Sequence, residues 1–108
     1  MNDESNLPIS EQYRIVSKQW VDAECAASLM EDLKSSVLNE RMVALGDIPV
    51  NRAEKVVKAS PEWREYVEAT IEARRKSNLL KAKLEWIRMK HSEEQSYAAT
   101  RRAEMKLV

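Results

Sequence analysis

The chain has 108 residues with 18 basic and 18 acidic side chains, so its formal net charge is zero. Ala, Glu, Lys, Leu and Arg make up 53 of the 108 residues, a composition typical of long helices and coiled coils. One glycine and three prolines are too few for the turns of an all-β fold or for a phosphate-binding glycine loop. One cysteine and one histidine likewise exclude an intrachain disulfide and the usual zinc sites.

The first half of the chain predicts one long helix. Residues 1–9 are polar and contain a proline, and we expect them to be a flexible lead-in. Ser10 is a residue type favoured at helix N-caps, and no glycine or proline follows before Gly46, which supplies the usual C-terminal stop. The predicted helix therefore covers residues 10–45.

Apolar side chains recur every seven residues along this first helix, at Val16, Ala23, Met30, Val37 and Ala44. Two further apolar residues, Ala26 and Leu33, lie three positions after members of this series. This spacing is typical of a coiled-coil seam, and we expect the seam to pack on another helix.

Residues 46–60 form a predicted connector between two long helices. Asn51 and Glu54 have the three-residue spacing of a capping box, in which each side chain bonds the other residue's backbone amide. The connector is therefore expected to hold a helix of two turns over residues 52–59.

The start of the last helix carries the clearest signal in the chain. Ser60 is a good N-cap and Pro61 occupies the first helical position, where proline is favoured. The predicted helix runs over residues 61–102, with residues 103–108 as a frayed tail. Its seam alternates three- and four-residue steps, at Thr70, Ala73, Ser77, Leu80, Leu84, Ile87 and His91.

Two long helices joined by a short connector predict an all-α fold. The expected architecture is a long antiparallel helical hairpin, coiled-coil-like, with a short connecting helix and a single domain over residues 1–108. If the turn is centred near Ala53, Ser10 pairs with Ser96.

A second apolar stripe runs along the last helix, away from the seam, at Leu79, Ala82, Trp86 and Met89. A helix that is apolar on two sides requires two neighbours, whereas a hairpin supplies one. The stripe therefore predicts a homo-oligomer with these four residues at the interface. The alternative is that the short middle helix covers the stripe.

The zero net charge is unevenly distributed. Residues 1–47 carry a net charge of −5, whereas residues 74–90 carry +6. Cations along one helix suit a phosphate backbone, and the candidate nucleic-acid-binding residues are Arg74, Arg75, Lys81, Lys83, Arg88 and Lys90. The alternative is neutralisation by acids of the first helix, namely Asp22, Glu24, Glu31 and Asp32. That neutralisation is expected to be partial, because one shoulder of the first helix holds Ala27, Lys34 and Arg41 instead of acids.

No catalytic site is predicted. Cys25 lies among alanines in mid-helix and His91 lies on the seam, so each has an ordinary packing role, although a pairing of the two across the hairpin stays open. The position three residues before His91 is Arg88, which excludes a Glu-x-x-His metal motif. We therefore expect no enzyme activity, no metal and no cofactor.

The segment Lys81-Ala82-Lys83-Leu84-Glu85-Trp86, preceded by Ser60-Pro61-Glu62-Trp63 and a basic helix, resembles phage recombination mediators of the UvsY type. The likeness covers about 30 residues, and its counterparts in the family pattern are Lys81, Lys83 and Trp86. It implies an oligomer that binds single-stranded DNA and assists a recombinase on strands covered by a single-strand-binding protein. The chain departs from the pattern in its long acidic first helix and in the segment after the basic helix.

The sequence thus predicts a non-enzymatic nucleic-acid-binding accessory protein of phage recombination or replication, binding single-stranded DNA. Its expected partners are further copies of itself, single-stranded DNA, and a recombinase or single-strand-binding protein. The expected location is the cytoplasm of a bacterial host cell, without membrane association. The alternative is a helical adaptor or inhibitor that binds proteins through the second stripe and does not bind nucleic acid.

Overall fold

The computed structural model describes residues 6–107 and consists of three α-helices, α1 (Ile9–Ala44), α2 (Val50–Lys58) and α3 (Pro61–Lys106). The all-α prediction is confirmed, and no β-strand occurs among these residues. The chain divides into two compact units. Unit 1 combines residues 6–20 with 78–107, and unit 2 comprises residues 21–77.

The first helix begins one residue earlier than predicted, and Ser10 is not its N-cap. The backbone amides of Glu11 and Gln12 both donate to the carbonyl oxygen of Pro8, at 3.0 Å. Ser10 therefore lies inside the first turn. Of the predicted lead-in, residues 1–5 fall outside the described part of the chain.

The capping box predicted at the start of the middle helix is wrong. The N-cap is Pro49, and no side chain caps the helix. Because α2 begins at Val50, Asn51 lies inside the helix, and the Glu54 carboxylate instead pairs with Lys58 Nζ at 2.7 Å. α2 buries Ala53 and Val57 within unit 2.

The predicted cap of the last helix is confirmed. The backbone amide of Trp63 donates to Ser60 Oγ at 3.2 Å, and the Ser60 hydroxyl donates to the Val57 carbonyl at 2.6 Å. The helix then continues to Lys106, four residues beyond its predicted end. Most of the expected frayed tail is therefore helical, and Val108 lies outside the described residues.

Unit 1 has an aliphatic core in which α1 and α3 run antiparallel. Val16, Leu84 and Ile87 are buried together, and the side chains packed on them are Ile9, Tyr13, Trp20 and Leu80. Ser10 lies beside His91 on a groove that Ile9 also lines. The predicted pairing of Ser10 with Ser96 is thus displaced by five residues, because the turn is not centred on Ala53.

Unit 2 is packed with smaller side chains. Ala27 and Ser77 have no exposed surface, and Ala23 is also buried. Nearer the connector, Trp63 is buried and the Tyr66 hydroxyl donates to the Met30 carbonyl of α1 at 2.6 Å. Small residues at a helix contact let the backbones approach closely, which suits the short hydroxyl-to-carbonyl bond.

Of the two rows of residues predicted to form the seam of α1, the second is wrong. The heptad positions Val16 and Ala23 are buried, but Ala26 is exposed and Leu33 is 44% exposed. The second row lies four residues after the heptad positions instead of three, where Ala27 is fully buried. The seam of α3 has the predicted spacing, with all its members buried or half-buried except His91, which is exposed.

Candidate nucleic-acid interface

Arg74 is bound by two carboxylates of α1. Its Nη1 lies 2.6 Å from Glu24 Oε2, and its Nη2 lies 2.6 Å from Glu31 Oε1, with a further bond from Nε to Glu31 at 2.9 Å. The buried Ser77 hydroxyl also donates to Glu24, at 2.6 Å. The cluster therefore satisfies one cation with two acids inside unit 2, as the neutralisation alternative predicted for Glu24 and Glu31.

These bonds favour the charged forms of all three groups. The hydrogen bonds from Ser77 and Arg74 lower the pKa of Glu24, and the bond from Arg74 lowers the pKa of Glu31. The same two carboxylates raise the pKa of Arg74. Because both acids accept hydrogen bonds from its guanidinium, Arg74 is the least available of the six candidate residues for a phosphate.

Arg75 lies in the same unit but bonds to an acid of its own helix instead of to Glu24 or Glu31. Its guanidinium lies 3.4 Å from Glu72, one turn earlier on α3, and both side chains are about two-thirds exposed. An exposed pair at this distance adds little stability and is readily exchanged for another anion. Arg75 thus remains an accessible cation.

Four candidate residues, Lys81, Lys83, Arg88 and Lys90, lie on α3 in unit 1 and are called the basic segment below. Lys81 and Lys83 are exposed, and Lys81 has no acidic partner among residues 6–107. The Arg88 guanidinium donates from Nε to the Tyr13 hydroxyl at 3.0 Å, and its Cζ lies 5.4 Å from the centre of the Tyr13 ring. Arg88 is therefore held by a neutral phenol instead of a carboxylate.

Lys90 is paired with an aromatic ring. Its Nζ lies 5.3 Å from the centre of the Trp86 ring, and Trp86 is 55% exposed. A cation over an aromatic face keeps its positive charge, since the ring supplies a quadrupole and no neutralising charge. The basic segment thus combines cations with two aromatic side chains, Tyr13 and Trp86.

The second apolar stripe is exposed. Leu79, Trp86 and Met89 are 58%, 55% and 60% exposed, and Ala82 is exposed as well. No element of unit 1 covers the stripe, and the alternative in which the short middle helix covers it stays a prediction. The interface prediction for these residues stays a prediction.

Arg41 is a packed cation that sequence reasoning missed. Its guanidinium carbon lies 5.9 Å from the Trp63 ring centre and 5.8 Å from that of Tyr66, and the two rings are stacked. Its Nη1 is buried with no hydrogen-bond partner among the described residues. The sequence could have predicted this packing once the buried row of α1 was known to include Ala27, because Arg41 lies two heptads, or fourteen residues, after Ala27 on the same face of the helix.

The two residues considered for catalysis, Cys25 and His91, belong to different units. Cys25 is exposed on α1 in unit 2. His91 is exposed in unit 1, at the groove that Ile9 and Ser10 line. Within residues 6–107, no cluster of three or more His, Cys, Asp or Glu side chains is arranged to hold a metal ion.

Comparison of the chain with protein-family models, with curated proteins and with solved structures gave no match. No helix within residues 6–107 is both long and apolar enough to cross a lipid bilayer.

Proposed function

We propose that the protein is a non-enzymatic nucleic-acid-binding accessory factor that binds single-stranded DNA through the basic segment. The observation that carries the proposal is that Lys81, Arg88 and Lys90 have no carboxylate partner among the described residues. Positive charge that the protein does not neutralise itself is available to displace counterions from phosphates.

The aromatic side chains favour a single strand over a duplex. Unpaired bases stack on exposed rings whatever their sequence, while neighbouring cations hold the backbone. Tyr13 with Arg88 and Trp86 with Lys90 are two such pairs at the basic segment, and Trp86 can stack on a base only in a chain whose stripe contact is open. No helix-turn-helix or basic-zipper arrangement accompanies the basic segment, so major-groove reading has no structural support among the described residues.

The biological setting proposed is phage recombination or replication in the bacterial cytoplasm, on the resemblance of Lys81, Lys83 and Trp86 to the UvsY-type pattern. In that setting a homo-oligomer, contacting through Leu79, Ala82, Trp86 and Met89, presents several basic segments to one strand. Repetition of a weak site raises the overall affinity without any new contact. A recombinase or single-strand-binding protein is the proposed protein partner.

The test of DNA binding is the variant K81E/K83E/R88E, with a fluorescent single-stranded oligonucleotide as the probe. We expect the wild-type affinity to fall roughly 50-fold between about 50 and 200 mM salt, as about four phosphate contacts require. The variant should lose binding while its helical circular dichroism is retained. The matched control R52E/K55E/R64E makes the same change in charge in unit 2, at exposed residues, and should keep most of the affinity. Equal affinity in the two variants would contradict the proposal.

The second candidate function is a protein-interaction adaptor or inhibitor, which the exposure of the second stripe favours. Three large apolar side chains, each more than half exposed, are the kind of surface that proteins bury on association. The variant W86D tests the contact through the stripe. We expect it to lower the mass in light scattering and also to weaken DNA binding, since Trp86 is a proposed stacking residue, and an unchanged mass would reject the contact at Trp86.

A further inference from the structure

The last fifteen residues of α3, 92–106, form a helical segment that we call the tail. α1 begins at Ile9, which lies beside His91, and every residue of the tail is exposed. A lone helix of this length is marginal in water, because most helical stability in proteins comes from packing. No other described element of unit 1 packs on the tail, so a partner that covers it would add stability.

The uncovered face of the tail continues the face that α1 covers in unit 1. Ile87 is 2% exposed under α1, and the same three- and four-residue steps lead through His91 to Glu94, Ala98, Arg101 and Met105. A shallow groove runs along this face, with Tyr97, Ala98 and Met105 among its lining residues. Tyr97 is 69% exposed and Met105 is 74% exposed. The face thus continues the helical phase of the contact beside it, with Glu94 and Arg101 among its apolar side chains, but has no opposing helix among the described residues of unit 1.

The charges that line this groove are segregated along the tail, whereas Glu104 and Lys106, near its end, do not line it. Glu93 and Glu94 lie in the first turn of the tail, and Arg101 and Arg102 lie two turns later, all at the edge of the same groove. None of the four has an oppositely charged partner among the described residues. For these four charges, a parallel copy would place like charges opposite each other, whereas an antiparallel copy brings the acids of each tail to within about one turn of the arginines of the other.

The length of the tail fits the same arrangement. Fifteen helical residues span about 22 Å at ~1.5 Å per residue. Two antiparallel tails that overlap fully bring the end of one tail to the point where the partner's α1 begins. The tail of the second copy thereby covers the face of α3 that lies beyond the start of α1. In this arrangement the acids lie within about one turn of the partner's arginines.

We propose that the tail is a homotypic docking surface on which the tail of a second copy packs antiparallel. Tyr97 and Ala98, between the acidic and the basic pair, form the apolar centre of this contact, and Met105 adds an apolar side chain at the end of the tail. The contact is separate from the second stripe and does not depend on nucleic-acid binding. It supplies a two-fold interface at the end of unit 1.

The test uses charge reversal in the full chain carrying W86D, which removes the stripe contact, with mass measured by light scattering without oligonucleotide. We expect W86D to retain a two-chain mass. Adding E93K/E94K should halve that mass, as should adding R101E/R102E, and mixing these two variants should restore a two-chain species. The fourfold swap E93K/E94K/R101E/R102E should dimerise by itself.

Two controls address folding and direction. The variant E65K/E68K makes the same charge change as E93K/E94K, at exposed positions of α3 in unit 2, and should leave the mass unchanged. The full chain with the wild-type tail should form no mixed dimer with the fourfold variant, both carrying W86D. Antiparallel pairing of these two tails would place like charges close together. Equal masses for E93K/E94K and E65K/E68K would overturn the proposal, and mixed dimers of wild type with the fourfold swap would overturn the antiparallel direction.

Discussion

Ser60 joins α2 to α3 through both of its hydrogen-bonding capacities. Its hydroxyl donates to the Val57 carbonyl and accepts from the Trp63 amide. Ser10 was predicted to act in the same way, but α1 begins one residue before it and its amides bond to Pro8. Both serines were predicted N-caps, but the signal at Ser60 was the clearer one, because Pro61 fixes the first turn after Ser60 whereas no such residue follows Ser10.

We expect S60A to lower the free energy of unfolding by about 1 kcal/mol, the usual cost of losing an N-cap. The matched variant S10A should change it by less than about 0.5 kcal/mol, since Ser10 is an exposed residue inside a helical turn. Urea unfolding followed by circular dichroism measures both. A larger loss in S10A than in S60A would contradict the assigned caps.

Glu24 and Glu31 make stability depend on acid pH. Because Ser77 and Arg74 lower the pKa of Glu24, and Arg74 lowers that of Glu31, their stabilising contribution is present above the pKa of the unfolded chain. It is lost as the pH falls through the lowered values of the folded state. We expect the urea midpoint of the wild type to fall more between pH 7 and pH 3 than that of E24Q/E31Q.

The control for this pH dependence is E65Q/E68Q, which removes two exposed acids that have no ion pair among the described residues. Its urea midpoint should follow that of the wild type across the same pH range. If E24Q/E31Q shows the full wild-type decline, the acid sensitivity arises elsewhere in the chain.

At the scale of whole helices, the number and order of the helices could be predicted from the sequence, but the rotation of α1 about its own axis could not. Caps and breakers placed three helices, and the alternating steps of α3 identified its buried face. α1 is harder because alanines occur at 23, 26 and 27, so the pattern does not state which alanine joins Ala23 in the contact. The phase was settled by packing, which buries Ala27 and leaves Ala26 exposed.

The phase of α1 can be tested by adding volume at adjacent positions. We expect A27L to lower the free energy of unfolding by about 1–3 kcal/mol, because the residue has no exposed surface and a larger side chain overpacks the contact. A26L should change it by less than about 0.5 kcal/mol, since Ala26 is exposed. The reverse order of stability would restore the phase predicted from the heptad spacing.

The candidate site was only partly predictable from the sequence for a related reason. The excess of positive charge on α3 follows from counting, but which cation meets an acid depends on the register of the two helices. In the structure, Arg74 reaches Glu24 and Glu31, whereas Arg88 reaches Tyr13. The observed pairing of α1 with α3 is shifted by five residues from the predicted one, and this shift decides which cation meets an acid. The spacing of apolar residues within each helix does not specify such a shift.

At the scale of the whole molecule, the two units differ in what holds them together. Unit 1 relies on aliphatic burial at Val16, Leu84 and Ile87. Unit 2 combines small buried residues with the acid–base cluster at Arg74. Acid weakens the second kind of contact directly and the first kind little, so the units should respond differently to pH although α3 runs through both.

Amide hydrogen exchange can measure this difference. On going from pH 7 to pH 3.5, after correction for intrinsic exchange rates, residues 66–77 should lose more protection than residues 80–87. The reason is that protonation of Glu24 and Glu31 removes bonds that only the first segment makes. A uniform loss over both segments would show that α3 opens as one cooperative element.

The three tryptophans occupy three different environments: Trp63 is 7% exposed, Trp20 is half-buried and Trp86 is 55% exposed. We therefore expect the indole of Trp86 to dominate the long-wavelength fluorescence and the quenching by dissolved iodide. Anything that settles over the surface around Lys90, a nucleotide base or a companion subunit, will shift that emission to the blue and shield it. The protein thus carries an intrinsic optical reporter at the position where its proposed ligands compete.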